Sequence, residues 1–536
     1  MHEISKLNET LSIIFHYFQT IIYHMQMKTS ALLIISTLCA AQHSWGNTTP
    51  EQDQKRFLQT GQQQWLRQLE NNAQTPATKD GQQAAPVLTQ QDLLARPQLL
   101  ARMLVHVLNG PPQPELLADL TSLYAQTPQP DSILLRRAQG MQAKYAGDYA
   151  RAVQIYRELA AEEPQDVRIR LDLAAMLAED KQWRESAQLF ETVRSEPEVP
   201  AEVQNNVQHY LNHIAKQQQW QWSGGLSPSF DNNVNNAPPP HCSPFGCSRE
   251  RAEDAVGVAY SLGVAKNQPL AGHHNLRMQL DVSGTNYYWS NKSAYDSAYG
   301  RLGAGWLWQD ARQRLLVMPF YQFQLSGTDN WDGRKPQNNH TLKMHMWAHA
   351  PGLRTEYSRL LTPRWQLHTA LDAYRQHYRM DTKAEMYNGW YLGESISLAW
   401  RATARNTLYA GLNFNQMLPE QSTLSGKPNN AAYRRHGIGA GWIHDWDALG
   451  GLSTRLNVSF AERRFRGTAL NITPQGFPRE QRRDREIQYS ASLWHRNWTI
   501  LGLTPKLNFS WQHTRSSHVW AERKSRQVFV ELEKQF

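Results

Sequence analysis

In Leu276-Arg277-Met278-Gln279-Leu280-Asp281-Val282-Ser283 the even positions are apolar and the odd positions polar. The same period of two runs through Thr454-Arg455-Leu456-Asn457-Val458-Ser459-Phe460 and Leu503-Thr504-Pro505-Lys506-Leu507-Asn508-Phe509-Ser510-Trp511. Successive side chains leave a strand on opposite sides, so this alternation specifies strands with one apolar and one polar face. A soluble sandwich would alternate too, and connection lengths separate the two cases. Short turns near 267–271, 310–313, 362–364, 402–405, 445–450 and 497–501 alternate with longer polar loops near 230–253, 290–293, 329–339, 378–388, 419–431, 467–483 and 515–525. Thirteen connections predict fourteen antiparallel strands with both ends on the short-turn side. Short turns on one side, long loops on the other, an apolar exterior and a polar lumen are the form of an outer-membrane β-barrel.

Composition agrees. A mean hydropathy of −0.64 and the lack of an apolar run of about 18 residues exclude a bundle of membrane-spanning helices. Alternating strands read as hydrophilic on average, so low hydropathy does not speak against a barrel. Cut at residue 220, the 536-residue chain carries 19 Lys+Arg against 23 Asp+Glu before the cut and 37 against 24 after it, with 16 of 19 tryptophans at or beyond Trp220. Tryptophan enrichment suits interfacial girdles. The net charge of +9 is spread over strand-like segments without a helix-turn-helix, RNP or OB pattern, so no nucleic-acid partner is expected.

Met27-Lys28 followed by Ala31-Leu32-Leu33-Ile34-Ile35-Ser36-Thr37-Leu38-Cys39-Ala40-Ala41 reads as a secretory signal peptide, with small residues allowing cleavage after Ala41 or Gly46. Met27 or Met25 would then be the true start; a short anchoring helix over Leu11 to Tyr23 is the alternative. Beyond Cys39 only Cys242 and Cys247 remain. In an exported protein this pair reads as a disulfide, the other reading being a zinc site that His241 alone does not complete. The expected division is a signal region at 1–46, a periplasmic helical domain at 47–217 and a barrel at 218–536.

Residues 72–92 are rich in Gln, Ala, Thr and Pro and read as a linker. Around Gly147-Asp148-Tyr149-Ala150-Arg151-Ala152 the spacing of Gly140, Tyr149, Ala152, Tyr156 and Pro164 resembles a tetratricopeptide repeat. A step of 34 carries these small and aromatic positions to Ala174, Trp183, Ser186 and Phe190, giving repeats over about 133–200. Such repeats stack into a solenoid with a concave face. By family position that face would carry Arg137, Met141, Lys144, Arg168 and Leu171, as a cargo-binding surface or as a solvated basic face.

The final segment, Gln527-Val528-Phe529-Val530-Glu531-Leu532-Glu533-Lys534-Gln535-Phe536, alternates to a terminal aromatic and resembles the assembly signal of bacterial outer-membrane barrels. Signal peptide, tetratricopeptide-like helices and a fourteen-stranded barrel ending in Phe536 together resemble the surface lipoprotein assembly modulators of Gram-negative bacteria, over nearly the whole mature chain. The resemblance implies an outer-membrane translocator that delivers surface lipoproteins, or soluble haem-scavenging proteins, from the periplasm to the cell surface. It implies as partners a lipoprotein or secreted cargo, the outer membrane with its lipopolysaccharide, the barrel assembly machinery and periplasmic chaperones.

Two further features bear on mechanism. The first strand, from Trp220 to Phe230, holds Gly224, Gly225 and Pro228, and would meet the strand ending at Phe536 on closure. These residues mark either a seam that opens sideways or a bulge at the strand's end. The segment Arg463 to Arg485 holds Arg463, Arg464, Arg466, Arg479, Arg482, Arg483 and Arg485, expected in an outer loop that meets lipopolysaccharide phosphate or an acidic client, or is simply solvated. In Trp390 to Trp400, strand parity turns Glu394 toward lipid. No Gly-x-Ser-x-Gly elbow or phosphate loop occurs, and adjacent His273 and His274 would point to opposite faces, so neither an enzyme nor a cofactor is expected. A small-solute porin and a polysaccharide exporter are the alternative functions.

Overall fold

The computed structural model describes residues 90–535 apart from 198, 236, 238, 244–245, 248–250, 328–339, 380 and 501–502, together with Trp65, Leu66 and Leu69. The expected signal region, most of the expected linker and Phe536 lie outside the described residues. From residue 90 the chain forms α1 (Gln90–Leu94), α2 (Pro97–Asn109), α3 (Pro114–Tyr124), α4 (Ser132–Tyr145), α5 (Tyr149–Glu162), α6 (Val167–Glu179), α7 (Trp183–Arg194) and α8 (Ala201–Gln218). Pro97 and Pro114 open their helices where a missing N–H costs nothing. Asp131 and Asp166 cap α4 and α6, each carboxylate accepting from two orphan amides of the first turn.

The 34-residue period is visible in the packing. A Cβ at Gly140 would stand 2.6 Å from the ring of Tyr156, so only glycine lets α4 and α5 approach this closely. Tyr156 is fully buried, and its hydroxyl donates to the Arg137 carbonyl over 3.2 Å. One repeat later Ala174 and Phe190 share a buried cluster, with the Ser186 hydroxyl donating 2.7 Å to the Ala174 carbonyl. Charges follow the same period: Arg136 pairs with Glu162, and 34 residues on Arg170 pairs with Glu196.

The strands are β1 (Gln221–Asp231), β2 (Ala255–Pro269), β3 (His274–Asn286), β4 (Ser297–Gln309), β5 (Gln313–Ser326), β6 (His345–Thr362), β7 (Trp365–Tyr378), β8 (Gly389–Thr403), β9 (Asn406–Pro419), β10 (Tyr433–Trp446), β11 (Leu452–Leu470), β12 (Arg479–His495), β13 (Thr504–Ser516) and β14 (Arg523–Gln535). They close as one antiparallel barrel, β1 returning to β14. Outward leucines and isoleucines are among its most exposed residues, Leu302 at 57%, Leu412 at 60% and Ile438 at 55%. That inverts a soluble protein and is what lipid contact requires. Trp306, Trp365, Trp400 and Trp446 stand exposed near the short-turn ends, where indoles favour the interface. In the loop after β1, Cys242–Ser243 pairs with Gly246–Cys247, and a disulfide joins Cys242 to Cys247.

One expected loop is shorter than its polarity suggested. β11 runs to Leu470 and β12 starts at Arg479, leaving 471–478 as the connection. Above the membrane both strand faces can be polar, so the alternation that marks a strand within lipid fades although the ladder continues. Glu394 does face outward, between Leu371 and Phe414 on the adjoining strands. It stands nine residues from Thr403 at the periplasmic end of β8. At roughly 3.3 Å per residue and about 40° of tilt, that is about 23 Å along the barrel axis, at the outer edge of an apolar band about 25 Å tall, where a carboxylate reaches water.

The repeats dock on the barrel through their turns. Gly147 (φ +77°) and Lys181 (φ +64°), 34 residues apart, hold the left-handed corners between α4 and α5 and between α6 and α7. At the first corner Arg312, in the turn between β4 and β5, donates to the Ala146 carbonyl over 3.0 Å, and a Cβ on Gly147 would overlap its guanidinium. At the second, His273 in the turn between β2 and β3 lies 2.8 Å from the buried Asp180 carboxylate, and Arg184 donates to the Leu270 carbonyl over 3.2 Å. Successive repeat turns thus meet successive barrel turns.

Two predictions follow from this packing. Gly140→Val should wedge α4 from Tyr156 and destabilise the repeats by about 1–3 kcal/mol, read as a lower urea midpoint for helical circular dichroism with the heat-modifiable gel mobility of the barrel unchanged. The hydrogen bond to Asp180 raises the pKa of His273 above 6.5 against partial burial, with Asp310 adding to the rise and Arg157 opposing it. The imidazolium therefore supports docking fully below about 6.5, and its contribution is lost as pH rises through the higher docked value. Hydrogen exchange at 270–273, corrected for intrinsic base catalysis, should increase over that interval in the wild type and show no such step in His273→Gln.

Candidate translocation site

Inward parity gathers charge along the barrel wall. On β4 to β7, Arg301 bonds Asp372 over 3.2 Å, Arg354 bonds Asp372 over 2.8 Å and Glu356 over 2.5 Å, and Arg314 on β5 approaches Glu356 to 3.4 Å. The side chains of Arg301 and Arg354 are 7% exposed and that of Asp372 4%, so each charge depends on its partner. Removing one would leave another buried and uncompensated. A second group joins β10 to β12: Arg435 and Arg463 both bond Glu486 over 3.0 Å, and Arg482 bonds Asp484 over 2.7 Å. The Arg482 guanidinium also lies 4.3 Å from the Phe465 ring centroid. A cavity of about 280 Å³ adjoins this second group, lined among others by Arg463, Arg482, Asp484, Glu486 and Trp520.

Both ends of this wall are covered. From the outer loop between β7 and β8, helix α9 (Asp381–Tyr387) presses Met386 and Tyr387 onto an inward aromatic cluster that includes Phe320, Tyr374, Tyr391, Tyr433 and Phe465. Tyr374 and Tyr391 stack at 5.3 Å within it. At the periplasmic end the helical residues Trp65, Leu66 and Leu69 are buried against Ala399, Tyr409 and Ile443 of the inner wall. The Trp65 indole stacks on His368 at 5.3 Å and meets Tyr409 edge-on at 5.9 Å.

The closing seam differs from every other strand pair of the barrel wall. Among the described residues β1 pairs with β14 over four, Ser223 with Gln535, Gly224 with Lys534, Gly225 with Glu533 and Leu226 with Leu532. Its other edge pairs with β2 over eleven, Gln221 to Asp231. The remaining neighbours pair over eleven residues or more. Pro228, which has no N–H to donate, stands two residues beyond the last pair with β14. Gly225 leaves room for the Glu531 carboxylate, which would lie 2.8 Å from a Cβ there.

The expected surface residues are distributed differently. Of the helical face, Met141 is 8% exposed and belongs to the repeat core, because helix α4 packs that side toward its neighbours; it is no part of an open surface. Leu171 is half-buried against the second repeat's cluster. Arg137 and Arg168 share Asp172 at 3.1 Å each, and Lys144 bonds Glu179 over 2.8 Å. The cations do come together across α4 and α6, with their charge largely balanced. The basic segment is likewise no loop: Arg463 and Arg482 face inward in the ion-paired group, whereas Arg464, Arg483 and Arg485 face outward on strands. Trp65, the paired carboxylates of Glu356, Asp372, Asp484 and Glu486, and α9 were not singled out by sequence. The indole was the one legible signal, being one of three tryptophans before residue 220.

Trp65→Ala should release the inner contact. Leu66 is 7% exposed, so a Leu66→Cys thiol should react slowly with a membrane-impermeant maleimide in purified full-length protein, and adding Trp65→Ala should speed it by about tenfold or more, since burial governs thiol access. An unchanged rate would show that the ring does not hold this segment in place.

Comparison with known proteins places the whole arrangement. Residues 220–536 match the family model described as surface lipoprotein assembly modifier, and residues 87–190 match that of its N-terminal TPR repeats. Surface lipoprotein assembly modifier 2 of Neisseria meningitidis serogroup B is 39% identical over 449 residues, covering 83% of this chain and 87% of that protein. A surface lipoprotein assembly modifier of Pasteurella multocida is 28% identical over 502 residues, covering 92% and 94%. The hemophilin secretion modulator of Acinetobacter baumannii is 20% identical over 413 residues, covering 73% and 76%. With its barrel matched from the first strand to the last and its repeats matched beside it, this chain belongs to the surface lipoprotein assembly modifier family.

Proposed function

We propose that this outer-membrane barrel carries lipoproteins, or secreted haem-binding proteins, from the periplasm to the cell surface, its helical repeats standing on the periplasmic side. Names of the relatives support the cargo class. The observation that carries the route is the four-residue seam between β1 and β14. A backbone hydrogen bond contributes about 0.5–1.5 kcal/mol, so a ladder several pairs shorter than its neighbours is the cheapest place for the wall to part. A lipidated client needs a lateral exit, because its acyl chains must stay in the bilayer while its polypeptide passes a polar wall. The barrel assembly machinery and periplasmic chaperones serve respectively to insert the barrel and to deliver the client, and lipopolysaccharide surrounds the outer half. The role is one of assembly and transport, and no catalytic step is invoked.

The polar inner wall would equally suit a small-solute porin, and one experiment separates the two. Leu226→Cys with Leu532→Cys places thiols on paired residues of the seam. In cells expressing a candidate surface lipoprotein, oxidation should cut protease-accessible cargo at the surface by about tenfold or more with total cargo constant, and reductant should restore it, because a covalent bond replaces about four weak pairs. Normal delivery through the locked barrel would exclude the lateral route. Delivery independent of this protein for every client tested, with altered uptake of small solutes, would favour the porin.

A further inference from the structure

The outward face of β10 to β14 changes character abruptly toward the outer surface. On β10 it presents Trp442, Ala440 and Ile438, then His436 and Arg434; on β11 Leu456, Val458 and Phe460, then Glu462 and Arg464. On β12 Leu493, Ala491, Tyr489 and Ile487 give way to Arg485 and Arg483. On β13 Leu507, Phe509 and Trp511 are followed by His513 and Arg515, and Lys524 stands on β14 beside His513. Register keeps these cations together: Arg434 is opposite Arg464, Arg464 opposite Arg483, and Arg485 stands between Arg515 on one side and Glu462 on the other, so that one carboxylate serves several guanidinium groups.

Their height and pairing set them apart from an ordinary charged rim. Arg434, Arg464 and Arg483 each stand 12 residues from the periplasmic end of their strand, at Trp446, Leu452 and His495. At roughly 3.3 Å per residue and about 40° of tilt this is about 30 Å along the axis, just above an apolar band about 25 Å tall. Arg464 bonds Glu462 over 2.8 Å. Among the described residues, Arg434, Arg483, Arg485, Arg515 and Lys524 have no carboxylate at ion-pair distance, and all are exposed. On the opposite wall the outward Arg375 is neutralised by Glu420 at 2.8 Å. Like-charged side chains facing one another across adjacent strands repel, and such a face is stabilised by anions from outside the protein.

From this geometry we infer that the outer rim of β10 to β14 is a binding site for the phosphate groups of an outer-leaflet glycolipid, whose acyl chains lie on the apolar stripe beneath. Guanidinium forks match phosphate oxygens in pairs. The cations stand on the lipid-facing parity directly over exposed aliphatic and aromatic side chains, so a ligand that is anionic at the head and apolar below fits the whole face. An acidic stretch of polypeptide would use the head alone. Because β14 is one side of the closing seam, bound lipid would pack against the edge that opens, and this placement is independent of which cargo the barrel carries.

The test uses full-length protein extracted in mild detergent and native mass spectrometry with bisphosphorylated lipid A as probe. The variant Arg434→Gln, Arg483→Gln, Arg485→Gln, Arg515→Gln should bind it about tenfold or more weakly, and the corresponding four Lys substitutions should keep most of the affinity, as expected for charge-assisted contacts. Wild-type protein should discriminate against a phosphate-free glycolipid with the same acyl chains and should weaken with salt. Heat-modifiable mobility reports whether the Gln variant has folded; if it has not, the phosphate and salt dependence of the wild type decides. Equal binding of the phosphate-free lipid, an unchanged Gln variant, or displacement of lipid A by an acidic peptide that itself binds the arginines would overturn the assignment. Cargo exposure measured in parallel fails separately: lost lipid binding with normal delivery leaves the site standing, and retained lipid binding without delivery leaves it standing too.

Discussion

Backbone hydrogen bonding in lipid is the constraint on which the rest of this molecule depends. Hydrocarbon offers no partner for an open edge, so a sheet that crosses the membrane must close on itself. Closure makes the barrel, and it also makes one junction unlike the others, where the first strand meets the last. Among the described residues that junction holds four pairs. Gly224 and Gly225 lie within those pairs, and Pro228, which has no N–H to donate, stands two residues beyond the last of them.

Around this closed wall the two ends are managed by different physics. The outer end is covered by apolar packing, with Met386 and Tyr387 on an aromatic cluster. The inner end holds an indole stacked on His368. Between them, Arg301 and Arg354 pair with Asp372 across strands, and Arg354 pairs with Glu356 along its own strand. Such a network fixes the wall's shape at a desolvation cost, which is tolerable only while every member is satisfied.

The repeats contribute a second ordering principle. Their period of 34 places Gly147 and Lys181 at equivalent corners, and those corners meet the turns holding Arg312 and His273. A solenoid whose corners step along the periplasmic turns of a barrel is held at a defined angle by few contacts. The ion pairs that repeat with it, Arg136–Glu162 and Arg170–Glu196, bind the helices within each repeat and leave the corners to bind the barrel.

Sequence by itself determined the secondary structure and the topology, because those follow from period and spacing. A period of two in Leu276 to Ser283, short and long connections in alternation, and a step of 34 from Gly140 to Ala174 are one-dimensional signals of a barrel and of helical repeats. Tertiary structure alone decided how charge is used. Arg463 and Arg464 are neighbours in sequence, yet strand parity sends one to Glu486 in the lumen and the other to the membrane rim. Met141 and Arg137 lie one helical turn apart, yet packing buries the first and leaves the second paired with Asp172. Partners separated by dozens or hundreds of residues, such as Arg301 with Asp372 or Trp65 with His368, are brought together only by the tertiary fold, and no local pattern encodes a contact between residues so far apart.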